Sequence, residues 1–153
     1  MVQNGNAVTE KKIFSRITSV STVINAEPAI VWKLLTNASD FARWNSTVIS
    51  IEGNISLGAI IKLRSKLAPK RTFKLKVIEY EVPKRLQWGD AQGTRLFTLI
   101  PNGKETLIFS MSEKIGGFMF PIYAKYIPSF DELFEQFAAD LKKEAEAIQN
   151  ISK

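Results

Sequence analysis

The residues from Ser129 to Ile148, SFDELFEQFAADLKKEAEAI, carry the pattern that decides how this chain folds. Their apolar members recur every three or four positions and are Phe130, Phe134, Phe137, Leu141, Ala145 and Ile148. The positions between them include the charged residues Asp131, Glu135, Lys142, Lys143 and Glu146. This spacing predicts one long amphipathic helix whose apolar stripe faces a core. Ser129 and Glu132 have the spacing of a capping box, which predicts where the helix begins.

Upstream of this helix, apolar residues alternate with a period of two. Between Ala59 and Val77 they alternate mainly with lysines and arginines, and strand-like segments continue as far as Glu113. Such alternation is typical of antiparallel strands with one solvated face. The phase of the alternation changes after Val77, which predicts a β-bulge, and Asn102-Gly103 predicts a hairpin turn.

The N-terminal part of the chain predicts a leader followed by a strand and two short helices. Residues 1–11 are polar and lack periodicity, so we expect a flexible leader ahead of a single domain of residues 12–153. Residues 13–25 are rich in Ile, Val, Thr and Ser, as in strands, and Pro28 is suited to the first turn of a helix. The predicted fold is therefore α+β, with a strongly curved antiparallel sheet of about seven strands wrapped around the C-terminal helix.

The composition excludes several kinds of chemistry. The 153 residues include no cysteine and no histidine, which rules out disulfides, a cysteine nucleophile and a Ser-His-Asp triad. We expect no metal and no cofactor. Catalysis through Asp, Glu, Lys, Tyr or water is still open.

The formal net charge of +6 permits an acidic partner. Because the basic residues alternate along strands instead of forming a dense run, a solvated sheet face is the preferred interpretation, and no nucleic acid is expected. The first twelve residues lack the apolar segment of a signal peptide, and no apolar run is long enough to span a bilayer. We expect a cytoplasmic protein without an integral membrane segment, either a monomer or a weak homodimer.

Two stretches resemble a known superfamily. Ile24 to Leu35, INAEPAIVWKLL, is similar to the strand-to-helix junction of START-like, helix-grip proteins, the superfamily that includes pollen allergens, lipid-transfer domains and polyketide cyclase/dehydrase proteins. Asp40 to Asn45, DFARWN, resembles the second-helix signature of that superfamily, and Pro83 to Trp88 agrees more weakly. The resemblance runs from about Ile17 to Ala147. It implies a helix-grip fold with a cavity between the sheet and the C-terminal helix.

The residues expected to line such a cavity are mostly aromatic and lie on the predicted strands, the second short helix, the irregular segment after Gly117 and the terminal helix. They are Trp44, Leu63, Phe73, Trp88, Arg95, Phe97, Phe109, Met111, Tyr123, Phe134 and Phe137. Apolar walls with few polar groups are normal for small-molecule pockets, although the same side chains could simply pack as core.

Arg95 is the polar candidate of most interest. It shares a strand face with Phe97 and Leu99, so it is expected to point inward and to need either a carboxylate or an anionic ligand group. Glu79 or Glu81 could supply the carboxylate, and a plain structural ion pair is the preferred interpretation. The apolar segment that follows Gly116-Gly117 has the composition of a gate over the cavity mouth.

The sequence favours a protein that binds or transports an apolar small molecule, such as a lipid, a quinone or an aromatic metabolite. One alternative is an enzyme of the polyketide cyclase/aromatase type that uses the same cavity, with Arg, Tyr or Glu polarising a carbonyl. A second alternative is a protein- or RNA-associated module, which the positive charge permits.

Overall fold

A curved antiparallel sheet of eight strands forms most of the protein in the computed structural model, which describes residues 4–152. The strands are β1 (Val8–Lys11), β2 (Ser15–Ile24), β3 (Val48–Glu52), β4 (Ile60–Ser65), β5 (Phe73–Glu81), β6 (Arg85–Gly89), β7 (Gly93–Pro101) and β8 (Leu107–Gly116). Their order across the sheet is β1-β2-β8-β7-β6-β5-β4-β3.

The helices lie at the two ends of the chain. They are α1 (Pro28–Thr36), α2 (Phe41–Trp44), α3 (Phe120–Tyr123) and α4 (Asp131–Ile151), with short 3-10 turns at Ala38–Asp40 and Ala124–Tyr126. Pro28 begins α1 as the sequence predicts, since a first-turn residue needs no backbone N–H donor. The predicted capping box at the start of α4 is wrong. Phe130 is the N-cap residue, and the Ser129 hydroxyl instead accepts a hydrogen bond from the Asp131 amide at 3.3 Å.

The strand β1 corrects part of the predicted leader. Val8–Lys11 pairs with β2, and the Thr9 hydroxyl lies 3.0 Å from that of Thr18 and 2.5 Å from a carboxylate oxygen of Asp131 on α4. Four residues, three of them polar, show too little periodicity to predict an edge strand, but the backbone of β2 supplies hydrogen-bond partners. Residues 1–3, the start of that predicted leader, lie outside the described residues.

The apolar stripe of α4 packs on the concave face of the sheet, as predicted. Phe134, Phe137, Leu141 and Ala145 are fully buried. The ring of Phe137 lies at the centre, with ring centroids 5.8 Å from Phe41, 6.0 Å from Trp44, 5.8 Å from Phe97 and 6.4 Å from Phe109. This aromatic cluster joins α2, β7 and β8 to the terminal helix.

Polar bonds fix the second half of α4 to the junction between β2 and α1. Lys142 Nζ donates to the Val23 carbonyl at 2.7 Å, and Glu146 accepts from the Asn25 amide at 2.9 Å. Gln149, which is buried, accepts from the Glu27 amide at 2.9 Å. The direction of the helix is therefore set at both ends.

The other local predictions for the sheet also agree with the structure. The pairing of β5 with β6 shifts between Val77 and Glu79, so the predicted bulge is present, and a hairpin at Asn102 joins β7 to β8. The basic side chains that alternate along β4 and β5 are exposed; they are Lys62, Arg64, Lys74 and Lys76. Within residues 4–152, no helix combines the length and the apolar character needed to cross a bilayer.

The central position of Phe137 makes its replacement the strongest test of the fold. We expect Phe137→Ala to lower the free energy of unfolding by about 3–5 kcal/mol, because a fully buried aromatic ring is lost from a packed cluster. The matched control is Ile151→Ala on the same helix, where the side chain is 84% exposed; its effect should stay within about 0.5 kcal/mol. Equilibrium urea unfolding measures both. A Phe137→Ala protein as stable as the parent would contradict the packing of α4 on the sheet.

Candidate functional site

A pocket of about 290 Å³ lies at one end of the sheet, beneath the chain that leads into α4. Its walls come from the ends of β4 to β8 that meet there, from the β4–β5 loop, and from residues 123–133. The apolar side chains of the lining are Leu63, Leu67, Ala68, Phe73, Leu75, Trp88, Ile115, Ile127, Phe130 and Leu133. The polar ones are Ser65, Arg71, Asp90, Gln92, Arg95, Glu113, Tyr123 and Tyr126.

The position of the pocket follows from the packing of α4. The rings around Phe137 occupy the middle of the concave face, and the pocket lies to one side of them. At the first turn of α4 only Phe130 and Leu133 reach the pocket, and the chain before them crosses the sheet as a loop and short helices. We call this chain, residues 123–129, the roof. The pocket is the space between the roof and the strand ends.

An ion pair between Arg95 and Glu113 lies in the pocket wall. The two residues are directly paired across β7 and β8, and Arg95 Nε donates to Glu113 Oε1 at 2.7 Å. Their side chains are only 12% and 18% exposed. The Arg95 guanidinium also lies over the ring of Phe134, 5.1 Å from its centroid. Arg95 thus faces inward, as the alternation predicts.

The carboxylate predicted to pair with Arg95 is the wrong one. Glu79 instead pairs with Arg85 at 3.0 Å, in a far more exposed position, and Glu81 is exposed. Both residues follow the bulge at Val77, where the register between β5 and β6 shifts. They lie at the end of β5 that is away from the pocket.

Arg16 on β2 holds the roof in place. Its Nη atoms donate to the carbonyls of Ile127 at 3.3 Å and Pro128 at 2.8 Å, and its guanidinium lies 4.8 Å from the centroid of the Phe130 ring. Burial lowers the pKa of Arg16, while the nearby carboxylates of Asp131 and Glu113 oppose that change. The side chain is a buried cation that links the sheet to the chain entering α4.

The turn between β6 and β7 forms another part of the wall. Asp90 Oδ1 accepts from the amides of Gln92 at 2.9 Å and Gly93 at 3.1 Å, which fixes the turn. Opposite it, the guanidinium of Arg71 lies 4.4 Å from the centroid of the Phe73 ring. Arg71 and Gln92 are exposed and lie at the mouth.

The structure divides the eleven predicted lining residues into two groups. Leu63, Phe73, Trp88, Arg95 and Tyr123 line the pocket. The other six are buried in the packed core and do not line it; they are Trp44, Phe97, Phe109, Met111, Phe134 and Phe137. Contact of these six with a ligand would require the aromatic cluster to open, because their rings and side chains already fill the space between sheet and helix.

Glu113 and Arg16 are the residues that the sequence interpretation missed. Glu113 follows Phe109 and Met111 on one face of β8, and Arg16 precedes Thr18 and Val20 on one face of β2. Strict alternation places both charges on the inner face. The signal is weak at both positions, because both residues lie near strand ends.

The comparisons with known proteins agree on the family and the fold. Residues 16–146 match the family model described as polyketide cyclase / dehydrase and lipid transport. No curated protein matches the chain. The predicted resemblance to the START-like superfamily is confirmed.

Several solved structures are similar to this chain. A START superfamily protein from Mycobacterium smegmatis has a TM-score of 0.64 at 13% identity, over 86% of this chain and 98% of that one. A norcoclaurine synthase point mutant from Thalictrum flavum, in complex with a transition-state analogue, has a TM-score of 0.65 at 13% identity, over 91% and 99%. A conserved protein of unknown function from Enterococcus faecalis has a TM-score of 0.68 at 16% identity, over 93% and 78%. At such identities the likeness concerns the fold alone.

Proposed function

The chain belongs to the family of polyketide cyclase/dehydrase and lipid transport proteins, and we propose that it binds a small, largely apolar molecule in the pocket beneath residues 123–133. The observation that carries the proposal is a mainly apolar pocket with one nearly buried ion pair in its wall. Apolar walls with a few fixed polar groups are the usual composition of small-molecule sites.

The size of the pocket limits the ligand. Pockets for drug-sized molecules occupy roughly 300–1,000 Å³, and this one, at about 290 Å³, lies at the lower end. A quinone ring, a bicyclic aromatic metabolite or a single short acyl chain is suited to that volume. A lipid with two long chains would need the roof to move.

The polar end of the ligand is expected at Arg95. A guanidinium carries five N–H donors, and Glu113 accepts from Arg95 through Nε alone. Among the described residues, the Nη atoms of Arg95 have no hydrogen-bond acceptor, so they are available to a carbonyl, carboxylate or hydroxyl oxygen of a ligand. The preferred ligand therefore has an apolar body with an oxygen at one end.

A substitution that fills the pocket tests this proposal. Ala68 lines the pocket, and Ala139 lies exposed on the outer face of α4. We expect Ala68→Phe to weaken binding of the neutral fluorophore N-phenylnaphthylamine by about tenfold or more, because the added ring occupies ligand space in a packed site. Ala139→Phe adds the same ring outside the pocket and should leave the affinity unchanged. A fluorescence titration compares the three proteins.

The proposal fails if the fluorophore does not bind, or if Ala68→Phe binds it as tightly as the parent. Native mass spectrometry of the protein purified from cells adds an independent readout. A co-purified small molecule that is absent from the Ala68→Phe protein supports the proposal and identifies the ligand.

A second candidate function, catalysis of the cyclase type, is favoured by one observation. Arg95, Glu113 and Tyr123 line the same pocket, so a cation, a carboxylate and a phenol converge on one space. In such a reaction Glu113 takes a proton from the carbon next to a ketone. Arg95 and Tyr123 stabilise the enolate oxygen. The enolate carbon then bonds to a second carbonyl carbon as the C=O π bond of that carbonyl opens, and the alkoxide formed takes the proton back from Glu113.

The first step of that reaction can be tested without knowing the substrate. If Glu113 acts as the base, the protein should accelerate deuterium exchange next to the carbonyl of a pocket-sized aryl alkyl ketone, and Glu113→Gln should abolish the acceleration. Glu79→Gln removes an equivalent charge from an exposed ion pair and should exchange at the parent rate. Proton NMR measures the exchange, and thermal unfolding checks that both variants are folded. If the ketone binds but its exchange is not accelerated, the ligand-binding proposal stands and cyclase-type catalysis is excluded.

A further inference from the structure

Six large apolar side chains are exposed together beside the mouth of the pocket. They come from the β1–β2 turn and from the chain between β8 and α4, and we call them the apolar lip: Ile13, Phe14, Phe118, Met119, Ile122 and Tyr126. Phe118 is 88% exposed, and Ile13 and Tyr126 are each 75% exposed. Clusters of this kind mark surfaces that contact a partner or a membrane.

The two parts of the apolar lip are held together by backbone contacts. The Gly117 amide donates to the Phe14 carbonyl at 2.9 Å, and a Cβ at Gly116 would collide with that same carbonyl oxygen. Behind the lip, Phe120 is 4% exposed and lies edge-on to Tyr123, with ring centroids 5.6 Å apart. The exposed rings are therefore presented by a chain whose inner side is packed.

The apolar lip has a positively charged border. Four exposed lysines adjoin it in sequence: Lys11, Lys12, Lys114 and Lys125. None of the four forms an ion pair with any of residues 4–152. Across the mouth, the β4–β5 loop adds Lys66, Lys70 and Arg71. The exposed acidic residues at this end are fewer than the basic ones, namely Glu10, Glu52, Asp90 and Glu132.

We propose that the apolar lip docks the protein on an anionic phospholipid bilayer, with the mouth of the pocket facing the membrane. Exposed aromatic and aliphatic side chains insert at the headgroup level, and the surrounding lysines are attracted to acidic lipids. A protein partner would need an acidic rim of matching shape, whereas a fluid anionic surface matches an apolar centre with cations on both sides. The charge pattern therefore favours the bilayer.

The apolar lip is continuous with the pocket. Tyr126 belongs to both, and Tyr123, behind the lip, lines the pocket wall. In the docked orientation an apolar ligand passes between bilayer and pocket with little exposure to water. Docking itself goes beyond the proposed ligand binding, since it requires no ligand.

Co-sedimentation with vesicles tests the docking. The parent protein should bind vesicles of phosphatidylcholine mixed with phosphatidylglycerol more tightly than vesicles of phosphatidylcholine alone, and less tightly at high salt. The double variant Phe118→Ser/Ile122→Ser should bind about tenfold more weakly or worse, because two inserted apolar side chains are lost. Its matched control, Leu57→Ser/Ile100→Ser, removes two exposed apolar side chains at the opposite end and should bind as the parent does.

A second pair of variants tests the charge. Lys12→Gln/Lys125→Gln should weaken binding to the anionic vesicles by about fivefold for each lysine removed. Lys74→Gln/Lys76→Gln removes the same charge from the outer face of β5 and should have a much smaller effect.

The docking is overturned if the parent protein does not bind the anionic vesicles, or if the variants and their controls lose binding equally. It is also overturned if the Phe118→Ser/Ile122→Ser variant binds vesicles as the parent does. Loss of self-association in that variant would then assign the apolar lip to contact between two copies of the chain. N-phenylnaphthylamine binding is measured on the same proteins. Vesicle binding that fails while the fluorophore still binds overturns the docking alone, and the reverse result overturns the pocket alone.

Discussion

Phe137 packs against rings from α2, β7 and β8, and the arrangement of the rest of the protein depends on that contact. A curved sheet needs a filler for its concave face, and here the filler is a set of packed aromatic rings. These rings occupy the middle of the concave face, and the pocket lies to one side of them, at the first turn of α4 and beneath the chain that leads into it. The same contact therefore holds the fold together and decides where a ligand can enter.

The pocket end of the molecule is built from charges that are partnered and nearly buried. Arg95 and Glu113 pair across two strands, and Arg16 binds the carbonyls of the roof. Buried charges are costly unless paired, so groups of this kind seldom add stability over an apolar core. The bonds of Arg16 to the roof account for that residue. For Arg95 and Glu113 we propose recognition of a polar ligand group, since the Nη atoms of Arg95 have no acceptor among the described residues. The apolar lip and its lysines then place the opening of the pocket against a surface from which an apolar ligand could come.

The sequence predicts the elements of this fold well, because their signals are periodic. The stripe of α4, the bulge after Val77 and the hairpin at Asn102 all agree with the structure. Strand β1 is not predicted because its four residues are too few to carry a pattern, and its pairing depends on a neighbour in space.

The pocket was harder to predict than the fold. Alternation correctly predicts that Arg95 faces inward. It does not predict the partner, which is Glu113 on the adjacent strand and not Glu79, because the sequence does not show the strand register. Periodicity also cannot separate a ring that lines a pocket from one that fills a core. Trp88 and Trp44 look alike in sequence, and only the position of α4 places the first in the pocket and the second in the cluster.

That difference between tryptophans gives the most direct test of where a ligand binds. The chain has three tryptophans: Trp88 lines the pocket, Trp44 contacts Phe137, and Trp32 packs on Tyr80. In protein labelled with fluorotryptophan, fluorine NMR resolves the three side chains, and substitution of each one assigns its signal. On titration with N-phenylnaphthylamine, the Trp88 resonance should shift while those of Trp44 and Trp32 stay in place. A shift at Trp44 with Trp88 unchanged would contradict the account, because the ligand would then lie at the aromatic cluster around Phe137 and not in the pocket.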